Sequence, residues 1–264
     1  MLAPASLPWK YRWFNLKWGA PSGRLVRGLL SRERRATPWG APLVGPFAFQ
    51  GNNTTRAFEY PWAVEALQLR PGLRVLEIGG SLSGFQFVVD LAGCEMIDVD
   101  PGDAFHASGW PVTPATVARL NRLFGTNVTL LNQYLEDAKF PDDSFDRVVS
   151  VSVFEHIPEN LLAGILAEVR RVLKPGGLLV LTVDLFLDVE PFTRATSNVY
   201  GHNVSVRWLV ETSGLERVHG RPDELFGYPE FSAERISNNR SRYLVGKYPA
   251  MVQTIVLRKP AARA

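Results

Sequence analysis

Leu76-Glu77-Ile78-Gly79-Gly80-Ser81-Leu82-Ser83-Gly84-Phe85, "LEIGGSLSGF", reads as the end of a strand entering a glycine turn and then a helix. Paired glycines there let backbone amides and a helix N-terminus approach a polar ligand. A glycine turn alone is a weak signal. It gains weight from Asp100, 23 residues after Glu77 at the end of the next apolar run, where a carboxylate can bind both hydroxyls of a ribose. The competing reading of Asp100-Pro101-Gly102-Asp103 is a plain turn.

Working outward, an alternating rhythm appears. Arg74–Ile78, Glu95–Val99, Asn127–Leu131, Asp146–Val153 and Leu178–Val183 read as strands. Helical patterns separate them at Phe85–Leu91, Pro114–Phe124 and Asn160–Leu173, the last stopped by Lys174-Pro175-Gly176-Gly177. A helix near Ser205–Thr212 and strands near Leu215–His219 and Met251–Leu257 follow. Strand–helix alternation with short linkers predicts an α/β fold, a Rossmann-like doubly wound sheet, mainly parallel. Ligands then bind beyond the carboxyl ends of the strands.

Before this core lie a helical pattern from Arg56 to about Leu69 and a segment rich in Pro, Gly, Trp and Arg. That segment holds one expected helix near Gly23–Arg35. Residues 1–40 carry eight cations against Glu33, a net +7 that leaves −4 for the rest. Such asymmetry suits a polyanion, an anionic membrane or an acidic surface. Trp9, Lys10, Arg12, Trp13, Lys17 and Trp18 interrupt any signal-peptide core, and their tryptophans point to packing rather than a transit sequence. The expected layout is a basic, Trp-rich extension or lid over residues 1–60 and a catalytic domain over 61–264. Cys94 is the only cysteine, which excludes an intramolecular disulfide and fits a cytoplasmic location. No apolar run is long enough for a transmembrane helix.

Four ordered segments, "LEIGG", "GCEMIDVDP" (Gly93–Pro101), "FPDDSFDRVVSVSVFEHI" (Phe140–Ile157) and "EVRRVLKPGGLLVLTV" (Glu168–Val183), resemble those of class I S-adenosylmethionine-dependent methyltransferases of the type 11 kind. The resemblance covers roughly residues 60–220. It implies a seven-stranded sheet with an antiparallel last strand and S-adenosylmethionine as cofactor. By position it implies Glu77, Gly79 and Gly80 at the cofactor's amino-acid end and Asp100 on the ribose. Tyr134 and Leu135 would flank adenine, and Ser152 would close the floor. Ser81 and Ser83 stand where glycines are usual. Serine resists φ > 0, so the loop is expected to take a slightly different path, with hydroxyls free to bind the cofactor. Tyr134 stands where an acid is common, with Glu136 as the substitute.

An alcohol acceptor needs its proton removed, which makes His156, with Glu155 beside it, and His202 candidate catalytic groups. Asp184 with Glu155 or Asp100 could hold Mg²⁺ through oxygen ligands. His106 and His219 read as a loop residue and a strand-end residue. "GNNTTRAFEYPW" (Gly51–Trp62) carries amides, hydroxyls and a carboxylate suited to sugar hydroxyls, and Trp62 and Trp110 flank the expected site. The leading expectation is O-methylation of a small molecule, a saccharide or a glycosylated or polyketide-like metabolite. The alternatives are an RNA methyltransferase, disfavoured by the negative charge outside the arm, a non-catalytic cofactor-binding module, and a nicotinamide-dependent oxidoreductase. The last leaves "FPDDSFD" and "LKPGG" unexplained. The sequence is silent on oligomeric state.

Overall fold

The computed structural model describes residues 1–102 and 110–261. Its strands follow the order β3-β2-β1-β4-β5-β7-β6 in a seven-stranded mixed sheet, the doubly wound α/β architecture expected. The chain divides into two compact units: Pro8–Lys139, and Met1–Leu7 together with the residues from Phe140 onward. The expected boundary between residues 60 and 61 falls inside a helix, and residues 8–60 share a unit with the glycine turn.

The Pro8–Lys139 unit opens with α1 (Trp9–Trp18), which Gly19 ends with φ +77, a geometry that favours glycine. The single helix expected over residues 23–35 is instead a 3₁₀ turn, Leu25–Leu29, and a short helix α2 (Arg32–Arg35). Ser31 causes the break, because its hydroxyl accepts from the Arg34 amide and starts a new helix. Then come α3 (Gly40–Val44) and α4 (Arg56–Ala66).

Pro61 lies inside α4 and has no amide to give to the Ala57 carbonyl four residues back. Asn15 of α1 fills that role, its Nδ2 donating to Ala57 O at 2.8 Å. Tyr11 packs edge-on against Phe58 with centroids 5.3 Å apart and donates its hydroxyl to Glu65 at 2.8 Å. The gap left by a proline thus becomes the point where α1 locks on.

Next come β1 (Arg74–Ile78), α5 (Phe85–Leu91), β2 (Glu95–Val99), α6 (Pro114–Phe124) and β3 (Thr129–Leu131). β2 pairs in parallel with both β1 and β3. Thr113 caps α6 by accepting from the Thr116 amide, and Gly125 ends it with φ +68.

The second unit contains β4 (Phe145–Val151), α7 (Glu159–Val172), β5 (Leu173–Phe186), α8 (Val206–Ser213), β6 (Glu216–His219), α9 (Ala233–Asn238) and β7 (Ala250–Arg258). β4 and β5 are parallel, while β7 runs antiparallel to both β5 and β6. Helix α7 ends at Val172, just ahead of Lys174-Pro175-Gly176-Gly177, as expected, but that run lies inside β5, whose start was expected only at Leu178. The pairing register jumps there, from Phe145↔Leu173 to Arg147↔Leu178, and Gly176 at φ +77 absorbs the extra residues. From Leu178 to Phe186 every residue of β5 is buried. Met1–Leu7 joins this unit, with Leu2 bridging Gln253 of β7. No helix among the described residues is long and apolar enough to cross a membrane.

The Asn15–Ala57 contact is testable by a double-mutant cycle. Asn15→Ala should cost about 1 kcal/mol in chemical denaturation, the usual worth of one such bond. In a Pro61→Ala background, where residue 61 regains its amide, the cost should shrink. Equal costs in both backgrounds would remove the proline from the explanation.

Candidate functional site

The glycine turn owes its shape to carboxylates beneath it. Glu77 of β1 is the register partner of Asp98 in β2, so their side chains leave the sheet on one face. Asp100, two residues further on, continues that face. Gly80 passes directly over the pair. A Cβ there would sit 2.5 Å from the Glu77 carboxyl carbon and 2.7 Å from Asp98 Oδ2, so only glycine fits.

The turn's amides point at the same carboxylates. Gly80 N donates to Asp98 Oδ1 at 3.0 Å and Ser81 N to Asp100 Oδ2 at 2.9 Å. Leu82 N donates to Gln50 Oε1 at 2.8 Å, and Gly102 N to Asp100 Oδ1 at 2.7 Å. Gly79 takes φ +75, and Ser81 takes φ +52, in the left-handed region that serine resists. The Ser81 amide bond to Asp100 helps hold this left-handed conformation, which costs a non-glycine residue on the order of 1 kcal/mol.

The two serines have separate roles. Ser83 is buried; its hydroxyl donates to Gln86 Oε1 at 3.0 Å and accepts from Phe85 N at 3.2 Å. It organises the start of α5. Ser81 is half-buried and is anchored through its backbone, by its amide to Asp100 and its carbonyl to Gln86 Nε2.

Glu77 and Asp98 are both buried, and Glu77 Oε2 and Asp98 Oδ2 have no hydrogen-bond partner. Burial and then the charge of Asp100 raise the Glu77 carboxyl well above the carboxylate range. Burial, Glu77 and Asp100, in that order, do the same to Asp98. A proton or an organic cation would relieve this repulsion. The residues present therefore suit a ligand with a cationic end and vicinal hydroxyls, as S-adenosylmethionine has. Asp98 and Gln50 escaped the sequence reading. The available signal for Asp98 was an acid at an interior position of the apolar strand "EMIDV".

Of the remaining positions in this unit, Tyr134 is exposed and Leu135 buried, both just after β3. Several polar groups of Gly51–Trp62 bond within the protein. Asn52 donates to Pro21 O at 2.6 Å and accepts from Tyr60 at 3.0 Å. Glu59 pairs with Arg56, and Thr55 and Trp62 are buried. Arg32 and Arg119 both lie over the Trp110 ring. Asp103 and His106 lie outside the described residues.

The second unit has its own cluster after β4 and β5. Ser152, at φ +46, donates its hydroxyl to Asp184 Oδ1 at 3.3 Å, and Tyr248 donates to Asp184 Oδ2 at 3.0 Å. Glu155 Oε1 accepts from the Asp184 amide at 3.1 Å. His156 Nδ1 lies against the Tyr200 carbonyl, which selects the tautomer protonated at Nδ1 and makes Nε2 the basic atom. His202 is held by its amide to Glu155 O at 3.3 Å. Gly201 makes this closeness feasible, since a Cβ there would sit 2.3 Å from Glu155 O. Tyr200 and Tyr248 stack at 4.2 Å with Phe186 beside them. His219 ends β6, as expected.

Magnesium finds no support. Both oxygens of Asp184 accept hydroxyls, and no group of three or more His, Cys, Asp or Glu side chains able to hold a metal ion occurs among the described residues.

A doubly wound sheet with a carboxylate-lined glycine turn after its first strand defines a Rossmann-like nucleotide-cofactor protein. Residues 74–181 match the family described as a methyltransferase domain. Over those residues the chain is similar to class I S-adenosylmethionine-dependent methyltransferase domains. A cyclopropane-fatty-acyl-phospholipid synthase from Escherichia coli is 30% identical over 161 residues, 56% of this chain and 37% of that protein. An uncharacterized methyltransferase from Mycolicibacterium paratuberculosis is 35% identical over 170 residues, 64% of this chain and 60% of the relative. The chain thus spans less than two thirds of the length of these relatives. Among solved structures, the cyclase SpnF superposes with a TM-score of 0.58 at 16% identity, covering 83% of this chain and 90% of that one. That likeness shows the fold.

The buried acids give a pH test. Because the folded state raises both carboxyls, it binds their protons more tightly than the unfolded chain does. Their penalty is absent below about pH 4 and grows as pH climbs through the raised values. The ligand-free protein should lose several degrees of melting temperature between pH 6 and pH 8.5. Asp98→Asn should flatten that slope. An unchanged slope in the variant would clear the pair of responsibility.

Proposed function

We propose that this chain is an S-adenosylmethionine-dependent methyltransferase that acts on a hydroxyl of a small molecule. The observation that carries the cofactor is the pair of open, buried oxygens on Glu77 and Asp98 under the turn. In this reading Glu77 and Asp98 face the cofactor's cationic end, with Gly79, Gly80 and the Ser81 hydroxyl beside it. Asp100 keeps acceptor capacity for the ribose hydroxyls, and Tyr134 and Leu135 flank the adenine. Ser83 contributes by fixing the start of α5, and Ser152 by holding Asp184. When bound, S-adenosylmethionine supplies an electrophilic methyl group.

Within the second unit, His156 is the candidate base. His156 is oriented by the Tyr200 carbonyl at Nδ1, so Nε2 takes the acceptor's proton. Glu155 braces the Asp184 amide, and the His202 amide keeps the following segment on the Glu155 carbonyl. The Phe186–Tyr200–Tyr248 stack, with Tyr200 40% exposed, offers aromatic faces to a sugar ring or a planar metabolite. This stack, and not Gly51–Trp62, supports a saccharide or glycosylated acceptor. The chain's sole cysteine fits action in the cytoplasm.

A carbon acceptor is the second reading, favoured by the similarity to a synthase whose name places its chemistry on phospholipid acyl chains. Methyl transfer to an alkene leaves a carbocation that must lose a proton from carbon, so a base is needed there too, and the two readings separate on the acceptor rather than on His156. Incubation with methyl-labelled S-adenosylmethionine and a panel of sugars, phenols and unsaturated lipids, read by mass shift, identifies the acceptor. For a hydroxyl acceptor, His156→Ala should lower kcat by roughly 10²–10⁴ while leaving cofactor Kd within about twofold. It should also abolish the acid limb of the pH–rate profile. Asp100→Ala should weaken cofactor binding. Full turnover in His156→Ala removes the base assignment, and no binding of the cofactor by the wild type removes the function.

A further inference from the structure

Helix α1 is apolar on two opposite sides, and only one is used by the protein. Its inner side holds Tyr11, Phe14, Asn15 and Trp18. Tyr11 packs on Phe58, Phe14 lies edge-on to Phe47 at 6.2 Å, and Asn15 takes the carbonyl that Pro61 frees. Its outer side carries Trp9, Trp13 and Leu16, at positions i, i+4 and i+7. They fall within roughly 60° of one another on a wheel of about 100° per residue. These three are 74%, 61% and 67% exposed, far beyond what the fold requires of such side chains. With Arg12 they border a shallow groove of about 180 Å³.

Cations border the stripe on both sides. Arg12 lies along one edge, Lys10 and Lys17 along the other, with no acid in the helix. Lys10 pairs with Glu65, and Lys17 lies over the Trp18 ring, so both are held near the helix surface. The next segment repeats the chemistry. Leu25 and Leu29 are 101% and 84% exposed in a 3₁₀ turn that also carries Arg27. Arg24 fixes the approach to that turn by donating to the carbonyls of Lys17, Pro42 and Leu43.

Tryptophan and leucine in one stripe with basic flanks match what lies flat in a bilayer interface. The apolar side enters the acyl boundary, indole rings stay at headgroup level, and cations meet lipid phosphates. The charge distribution says the same: +7 over residues 1–40 against −4 elsewhere gives an anionic surface one preferred approach. RNA is served less well, because the cations border an aliphatic and indole stripe instead of forming a continuous positive track.

We propose that the outer face of α1, with Leu25 and Leu29, docks this protein on the surface of an anionic lipid bilayer. The inference stands apart from the catalytic reading and survives if that reading fails.

The test uses the full chain and vesicles of phosphatidylcholine, alone or mixed in equal parts with phosphatidylglycerol. Wild-type protein should co-sediment with the mixed vesicles, much less with pure phosphatidylcholine, and less as salt rises. The triple variant Trp9→Ser, Trp13→Ser, Leu16→Ser should lose at least about tenfold in partitioning. Its melting temperature should stay at the wild-type value, because none of the three side chains is buried. Wild-type protein left in the supernatant with mixed vesicles overturns the proposal, and so does undiminished binding by the triple variant. Light scattering or RNA gel retardation gives the remaining outcomes. A dimer or an RNA complex that the variant abolishes, with no vesicle binding, assigns the face to that partner instead.

Discussion

Three carboxylates on neighbouring strands, Glu77, Asp98 and Asp100, impose the constraint on which the cofactor turn depends. Glu77 and Asp98 are fixed side by side by the β1–β2 register, and Asp100 follows because side chains alternate along a strand. Burying several like charges together is costly unless amides, protons or cations compensate. The chain supplies amides from Gly80, Ser81 and Gly102, which pulls the turn down onto the acids. Gly80 is then obligatory because its Cα rests on the carboxylates, and Ser81 is drawn into the left-handed region by its bond to Asp100. The turn's shape and the site's demand for positive charge have one cause.

In the second unit backbone atoms do comparable work. The carbonyls of Glu155 and Tyr200 receive the His202 amide and the His156 ring, and Gly201 permits the approach. Asn203 pins the same segment to β5, accepting from Phe186 N at 2.6 Å and donating to Phe186 O at 2.8 Å. A carbonyl only accepts, so Nδ1 of His156 donates to Tyr200 O. Glu155 next to it is spent on the Asp184 amide. The "EH" pair is therefore divided: the glutamate braces the sheet end, and the histidine donates to the Tyr200 carbonyl.

The strands and the helices between them were legible because their hydrophobic periods are local. β1, α5, β2 and α6 begin and end where the pattern put them. The family segments located the turn and Asp100. Three features were not legible, each for a physical reason. The break at Ser31 depends on a side chain choosing to cap rather than continue. The Lys174–Gly177 run follows the end of α7, as its composition says, yet β4 offers pairing partners on both sides of it, so β5 starts early and absorbs it as a bulge. Asp98 reads as one polar letter in a buried strand. Its importance lies in Glu77 standing opposite, which only the register reveals. The internal bonds of Asn52 and Glu59 in the polar run Gly51–Trp62 were hidden for a related reason: composition does not tell whether a side chain faces ligand or the protein itself.

Helix α1 shows why an exposed apolar stripe here is not leftover core. A helix with a single apolar face would have to choose between packing and docking. In α1 the inner face is satisfied by specific bonds: Asn15 to the carbonyl that Pro61 releases, and Tyr11 to Glu65. These fix its rotation about its own axis, so the outer residues cannot roll inward. Trp9, Trp13 and Leu16 are therefore held in water by the packing of their opposite face. Their hydration is a standing cost that burial against something outside the monomer would remove. The flanking cations Arg12, Lys10 and Lys17 narrow what that something can be, because a positive surface would meet like charge along both edges of the stripe.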